Sequence, residues 1–81
     1  MNRLGRVLHL SNNRHLVLRT KIKVKTKAAV LNDELNQVGL IFDIFGPVNY
    51  PYVSIKPTVN NPSKYVGHFL YTMSTDGDEL R

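Results

Sequence analysis

Residues 38–57 read VGLIFDIFGPVNYPYVSIKP. Two apolar runs, 38–45 and 52–56, enclose a short segment holding Pro47 and Pro51, and Pro57 follows the second run. The first run alternates so that Val38, Leu40, Phe42 and Ile44 share a face; the second turns Val53 and Ile55 inward. Period-two alternation over a run this short is the pattern of a half-buried strand. Proline fixes φ and offers no amide hydrogen, so it belongs at strand ends rather than strand centres. Pro47, after Gly46, therefore ends one strand; Pro51 opens the next, where a missing N–H does little harm; Pro57 ends it. The stretch is two strands joined by a stiff turn that holds residues 48–50 outward.

The same punctuation runs through the rest of the chain. RLGRVLHL (3–10) places Leu4, Leu8 and Leu10 on one side, with Arg6 as an exception. HLVLRTKIKV (15–24) starts as a continuous apolar run and then alternates. AAVL (28–31) stops at the turn cluster Asn32, Asp33, Glu34, and YVGHFLYTM (65–73) is rich in aromatics. Short apolar runs separated by Asn, Asp, Gly or Pro predict an all-β domain. Closure removes exposed strand edges, so the expected architecture is a small closed six-stranded antiparallel β-barrel over residues 1–73. A helix over 28–38 is the weaker reading, because Asn32 and Asp33 would compete for backbone hydrogen bonds in its middle. Gly5, Gly39 and Gly67 fall inside strand-like segments, where glycine marks bends or close backbone approach. STDGDELR (74–81) is expected to be a flexible acidic tail.

Composition excludes several kinds of chemistry. A chain of 81 residues is a single domain. With no cysteine there is no disulfide, no thiolate metal site and no cysteine nucleophile. The histidines, His9, His15 and His68, lack zinc-site spacing; a hairpin at the turn SNNR would set His9 and His15 facing each other, but with no carboxylate or thiolate partner they make a poor metal site. Asp43 interrupts LIFDIF on the face opposite Phe42 and Ile44, but no second acid is placed beside it to separate the two pKa values. It reads as a solvent-facing strand residue or one that bonds a nearby amide or lysine. Neither a phosphate-binding glycine loop nor a nucleophile elbow occurs. The expectation is a protein that is not an enzyme, with no cofactor and no metal. No apolar run is long enough to span a membrane as a helix, and MNRLGRVLHL lacks the features of a signal peptide.

The formal net charge is +5, which points toward nucleic acid or an acidic protein surface. The charge is concentrated in RTKIKVKTK (19–27), where Arg19, Lys21, Lys23, Lys25 and Lys27 take every odd position. On an extended strand these form one cationic face. Two readings stand side by side: a stripe that tracks phosphates, with Lys21, Lys23, Lys25 and Lys27 as RNA contacts, or an edge strand protected by lysine. The stripe has no interleaved aromatics and so no stacking platform of its own.

The stretch 38–57 closely resembles the GAR-protein subunit of H/ACA ribonucleoproteins in its compact archaeal form. That family carries V-G-x-[VI]-x-D-[IV]-[FL]-G-P-V followed by P-Y-[VF]-[SA]-[IV]-K-P. Val38, Gly39, Ile41, Asp43, Ile44, Phe45, Gly46, Pro47 and Val48 match the first half; Pro51, Tyr52, Val53, Ser54, Ile55, Lys56 and Pro57 match the second. RLGRVLH and NPSKYVGHFLY resemble the family's first and last strands, so the likeness covers most of residues 3–71. The glycine-arginine tails of eukaryotic members are absent. The resemblance implies a six-stranded barrel and a non-catalytic subunit that docks on a dyskerin-type pseudouridine synthase. It also implies help with substrate RNA loading and product release, with guide RNA held mainly by the particle's other proteins. An archaeal member would work in the cytoplasm, a eukaryotic one in the nucleolus. The residues expected to meet the synthase are Phe45, Gly46, Pro47, Val48, Tyr50, Pro51 and Tyr52. Rigid prolines and aromatics lose little entropy on docking.

Overall fold

Six strands form where the alternation and its breaks place them: β1 (Asn2–Leu10), β2 (Leu16–Arg19), β3 (Ala29–Leu31), β4 (Gln37–Phe45), β5 (Tyr52–Pro57) and β6 (Phe69–Thr72). The computed structural model describes residues 2–73, so the acidic segment 74–81 lies outside the described residues. The strands close into an antiparallel barrel in the order β1-β2-β5-β4-β3-β6. Segment 28–38 is not helical. Asn32, which argues against a helix in the sequence, instead organises the β3–β4 turn: its Oδ1 accepts the amides of Glu34 and Asn36 at 2.9 and 3.0 Å.

The barrel interior is aliphatic. Leu4 and Val7 of β1, Leu16 and Leu18 of β2, Val30, Val38, Ile41, Val53, Ile55 and Leu70 form one buried cluster. Ile55 is central to it, paired across β5–β2 with Leu16 and across β5–β4 with Ile41. Val53 and Ile55 point inward as the alternation predicts, both fully buried.

The two longest strands depart from simple alternation. In β1 the inward residues are Leu4 and Val7, and Leu8 is half exposed. Register shifts between Arg3 and Gly5 against β6, and between Val7 and His9 against β2, reset the phase. In β4 the expected face of Val38, Leu40, Phe42 and Ile44 is broken in the same way. Val38 and Ile41 are buried, while Phe42 is exposed beside a register shift between Ile41 and Asp43. A bulge adds one residue to one strand and bends it, so side chains beyond it change faces. Asp43 lies at the β4 bulge, exposed, with Oδ1 accepting the Ile44 amide at 2.9 Å.

The last strand starts later than the aromatic run indicates. Residues Pro62–Tyr65 form a 3-10 turn, with Pro62 at its start and Tyr65 packed against the core. The β3–β6 contact is short: a single residue pair, Leu31 with Tyr71, joins the two strands.

Candidate functional site

The β4–β5 connection, residues 46–51, stands at one end of the barrel. Gly46 begins it with φ +94°, a left-handed conformation that glycine adopts without penalty, and a Cβ there would lie 3.0 Å from the Tyr52 ring. Residues 47–50 then turn, the Tyr50 amide donating to the Pro47 carbonyl at 3.3 Å. Val48 sits at the tip and is 95% exposed. At the base, the rings of Phe45 and Tyr52 stack with centroids 5.6 Å apart and planes 17° apart.

One side chain fastens this loop to the wall. Arg19, at the end of β2, donates from Nε and Nη2 to the Tyr50 carbonyl at 3.2 and 2.8 Å. Its guanidinium carbon also lies 4.0 Å from the Tyr50 ring centroid and 4.5 Å from that of Tyr52. A planar cation against aromatic faces is favourable, more so than a lysine in its place. The Thr20 amide adds a bond to the Pro51 carbonyl at 3.1 Å. The loop is thus held from both β-strand ends and along one edge, with its apolar tip free. The structure gathers Phe45, Gly46, Pro47, Val48 and Tyr50 as exposed residues at this end, with Pro51 and Tyr52 half-buried at its foot.

The lysine-rich stretch is not the strand that its alternation predicts. β2 ends at Arg19, and residues 20–28 are outside any strand. The cause is across the sheet. Arg19 pairs with Tyr52, so Thr20 faces Pro51, whose carbonyl can accept but which has no amide to return. The ladder stops there, and at its far end Lys27 adopts φ 74° in a turn whose amide donates to the Ile41 carbonyl at 2.6 Å. Alternation survives without pairing: Lys21, Lys23, Lys25 and Lys27 are exposed while Ile22 and Val24 pack toward the core. A groove of about 380 Å³ runs between this segment and the loop, lined among others by Lys21, Lys23, Val48 and Pro51.

Arg19 belongs to the stripe in sequence but works on the loop in space. Arg6 is likewise more than an interruption of an apolar run. In the barrel, Arg3 and Arg6 both lie over the Phe69 ring, at 4.5 and 5.1 Å from its centroid. The available signal was an arginine, Arg6, on the phase that Leu4, Leu8 and Leu10 mark as inward. His15 does not face His9. Its Nδ1 lies 3.0 Å from Ser54 Oγ and its ring meets Phe42 edge-on at 4.7 Å, whereas His9 is paired with Val17. Among the described residues no three His, Asp or Glu converge as a metal-binding group.

This barrel, with its glycine-proline loop between β4 and β5, is matched over residues 1–77 by the family described as the Gar1/Naf1 RNA binding region. The chain belongs to that family. An uncharacterized protein of Methanothermobacter thermautotrophicus is 37% identical to it over 75 residues, covering 88% of this chain and 82% of the relative. Gar1/Naf1 proteins are RNA-binding accessory proteins of H/ACA ribonucleoproteins rather than a catalytic family. The match spans the whole barrel, including both arginines of β1, the loop and the lysine-rich segment.

Proposed function

We propose that this Gar1/Naf1 barrel is a non-catalytic subunit of the guide-RNA pseudouridylation particle. On this reading the 46–51 loop docks on the catalytic domain of a dyskerin-type synthase and promotes substrate RNA loading and product release. The observation that carries the proposal is the loop itself: an apolar tip, Val48, 95% exposed on a turn already fixed by Arg19 and two prolines. A preformed apolar edge costs little to order on binding, which is where rigid groups gain affinity. An interface of roughly 1,200–1,600 Å² would be of ordinary size for such a contact.

Val48→Asp is the discriminating variant. Its side chain packs on nothing that the barrel needs, so the melting temperature should hold while co-purification with the synthase is lost. Multiple-turnover pseudouridylation should then drop to the level seen without this subunit, with single-turnover chemistry little changed. Undiminished co-purification would remove the loop from the interface. Tyr52→Asp is a poorer test, because Tyr52 is half-buried, pairs with Arg19 and Phe45, and stacks on Phe45.

A second reading uses the exposed lysines directly. Lys21, Lys23, Lys25 and Lys27 then attract RNA phosphates, with affinity falling steeply as salt rises. The family's RNA binding and the outward set of the four side chains favour it.

A further inference from the structure

A cleft of about 500 Å³ lies on the barrel wall away from the tip of the loop, lined by Arg3, Arg6, Arg19, Lys21, Tyr50 and Phe69 among others. Four of those six side chains are cationic and two are aromatic. No carboxylate lines the cleft among the described residues. Its cations are set against rings: Arg3 and Arg6 over Phe69, Arg19 at 4.0 Å and Lys21 at 5.6 Å from the Tyr50 centroid.

Its geometry depends on how closely β1 approaches β2. A Cβ at Gly5 would lie 2.3 Å from the Arg19 carbonyl oxygen, so only glycine allows the two strands this separation. The approach puts the arginines of β1 on the same cleft as Arg19. Four like charges so placed repel one another, and an anion among them would relieve that repulsion.

Two features separate the classes of anion. Arginine presents a planar fork that fits phosphate oxygens in pairs. Exposed rings and guanidinium planes are surfaces on which bases stack, and stacking together with a cationic track is how single strands are held. The lysine-rich segment has the charge without the rings. An acidic peptide would use the charge but has no flat base to set against Phe69 or Tyr50.

We propose that this cleft holds a short single-stranded RNA segment. Its phosphates lie between the β1 arginines and the Arg19 and Lys21 pair, and a base lies against Phe69 or Tyr50. The inference rests on the family's RNA binding; the cleft shares Arg19 and Tyr50 with the base of the docking loop but not its tip, Val48. It moves the main RNA contact from the lysine stripe to the arginine-aromatic cleft, leaving Arg19 and Lys21 as the residues common to both.

The test is fluorescence anisotropy of the full chain with a labelled hexauridylate RNA over a range of salt. Arg3→Ala combined with Arg6→Ala should weaken binding by roughly tenfold or more and lower the log–log salt slope by about 1.4. Phe69→Ala should weaken binding to the RNA more than to an abasic phosphodiester of the same length. Lys23→Ala combined with Lys25→Ala should change affinity by no more than about twofold. Melting curves establish that each variant is folded. The proposal is overturned if the lysine pair carries the loss and the arginine pair does not, or if the wild-type chain ignores the RNA. A hexaglutamate peptide binding more tightly than the RNA would overturn it in favour of an acidic protein partner. Loss of synthase co-purification by the arginine pair with RNA affinity intact would do the same. Val48→Asp, outside the cleft, should bind RNA as the wild type does, so failure of the docking proposal is seen separately.

Discussion

Ile55→Ala should lower the melting temperature by roughly 10–40 °C, measured by far-UV circular dichroism. Ile55 is fully buried and stands between Leu16 on β2 and Ile41 on β4. Truncating a buried isoleucine to alanine costs about 2–5 kcal/mol, part from lost transfer energy and part from the cavity left behind. An 81-residue chain has little reserve, with total stability of about 4–12 kcal/mol expected at its size. The neighbours are strands fixed by ladders on both sides, so they cannot move in to fill the space. The loss should therefore fall in the upper half of that range. A fall of less than about 5 °C would mean that the barrel wall collapses around the cavity far more readily than a closed sheet should.

Gly5→Ala is the second large effect and has a different origin. The added methyl would meet the Arg19 carbonyl oxygen at 2.3 Å, and a backbone oxygen cannot rotate aside as a side-chain end can. β1 and β2 must separate, at an expected cost of about 1–3 kcal/mol or more. Gly67→Ala is the matched control: a Cβ there meets no atom within 4 Å, and the positive φ of 87° alone is penalised, by about 1 kcal/mol. Equal destabilisation of the two variants would show that β1 and β2 are less tightly apposed than the structure has them. The Gly5 variant should also bind RNA less well than its residual stability accounts for, because the separation moves Arg3 and Arg6 away from Arg19.

The barrel was legible in the sequence because its strands are short and their ends are written in residues with fixed backbone consequences. Pro47, Pro51 and Pro57 mark the boundaries of β4 and β5, and Asn32 marks the β3–β4 turn. The phase inside the longest strands was not legible. Leu8 and Phe42 look like core residues under strict alternation, but bulges turn them outward. A bulge depends on how two strands fit, and neither strand alone records it. The lysine stretch failed for a related reason: its alternation is real, but whether it pairs is decided by Pro51, on another strand. The turn at 46–51 could be singled out because its residue types are unusual for a connection. The cleft could not, because Arg3 and Arg6 meet Phe69 only when β6 returns beside β1.

The single pair that joins β3 to β6 makes the cylinder unequal around its circumference. In the order β1-β2-β5-β4-β3-β6 that seam is diametrically opposite the β2–β5 pairing, which carries Arg19 and Tyr52. Thermal breathing starts where the fewest bonds must break. Hydrogen exchange should therefore be fastest along that back, as in a ring that splits at one line, and slowest on the β2–β5 side. A ring that yields at one line can take up strain there without disturbing the opposite wall, where Arg19 and Tyr52 are paired.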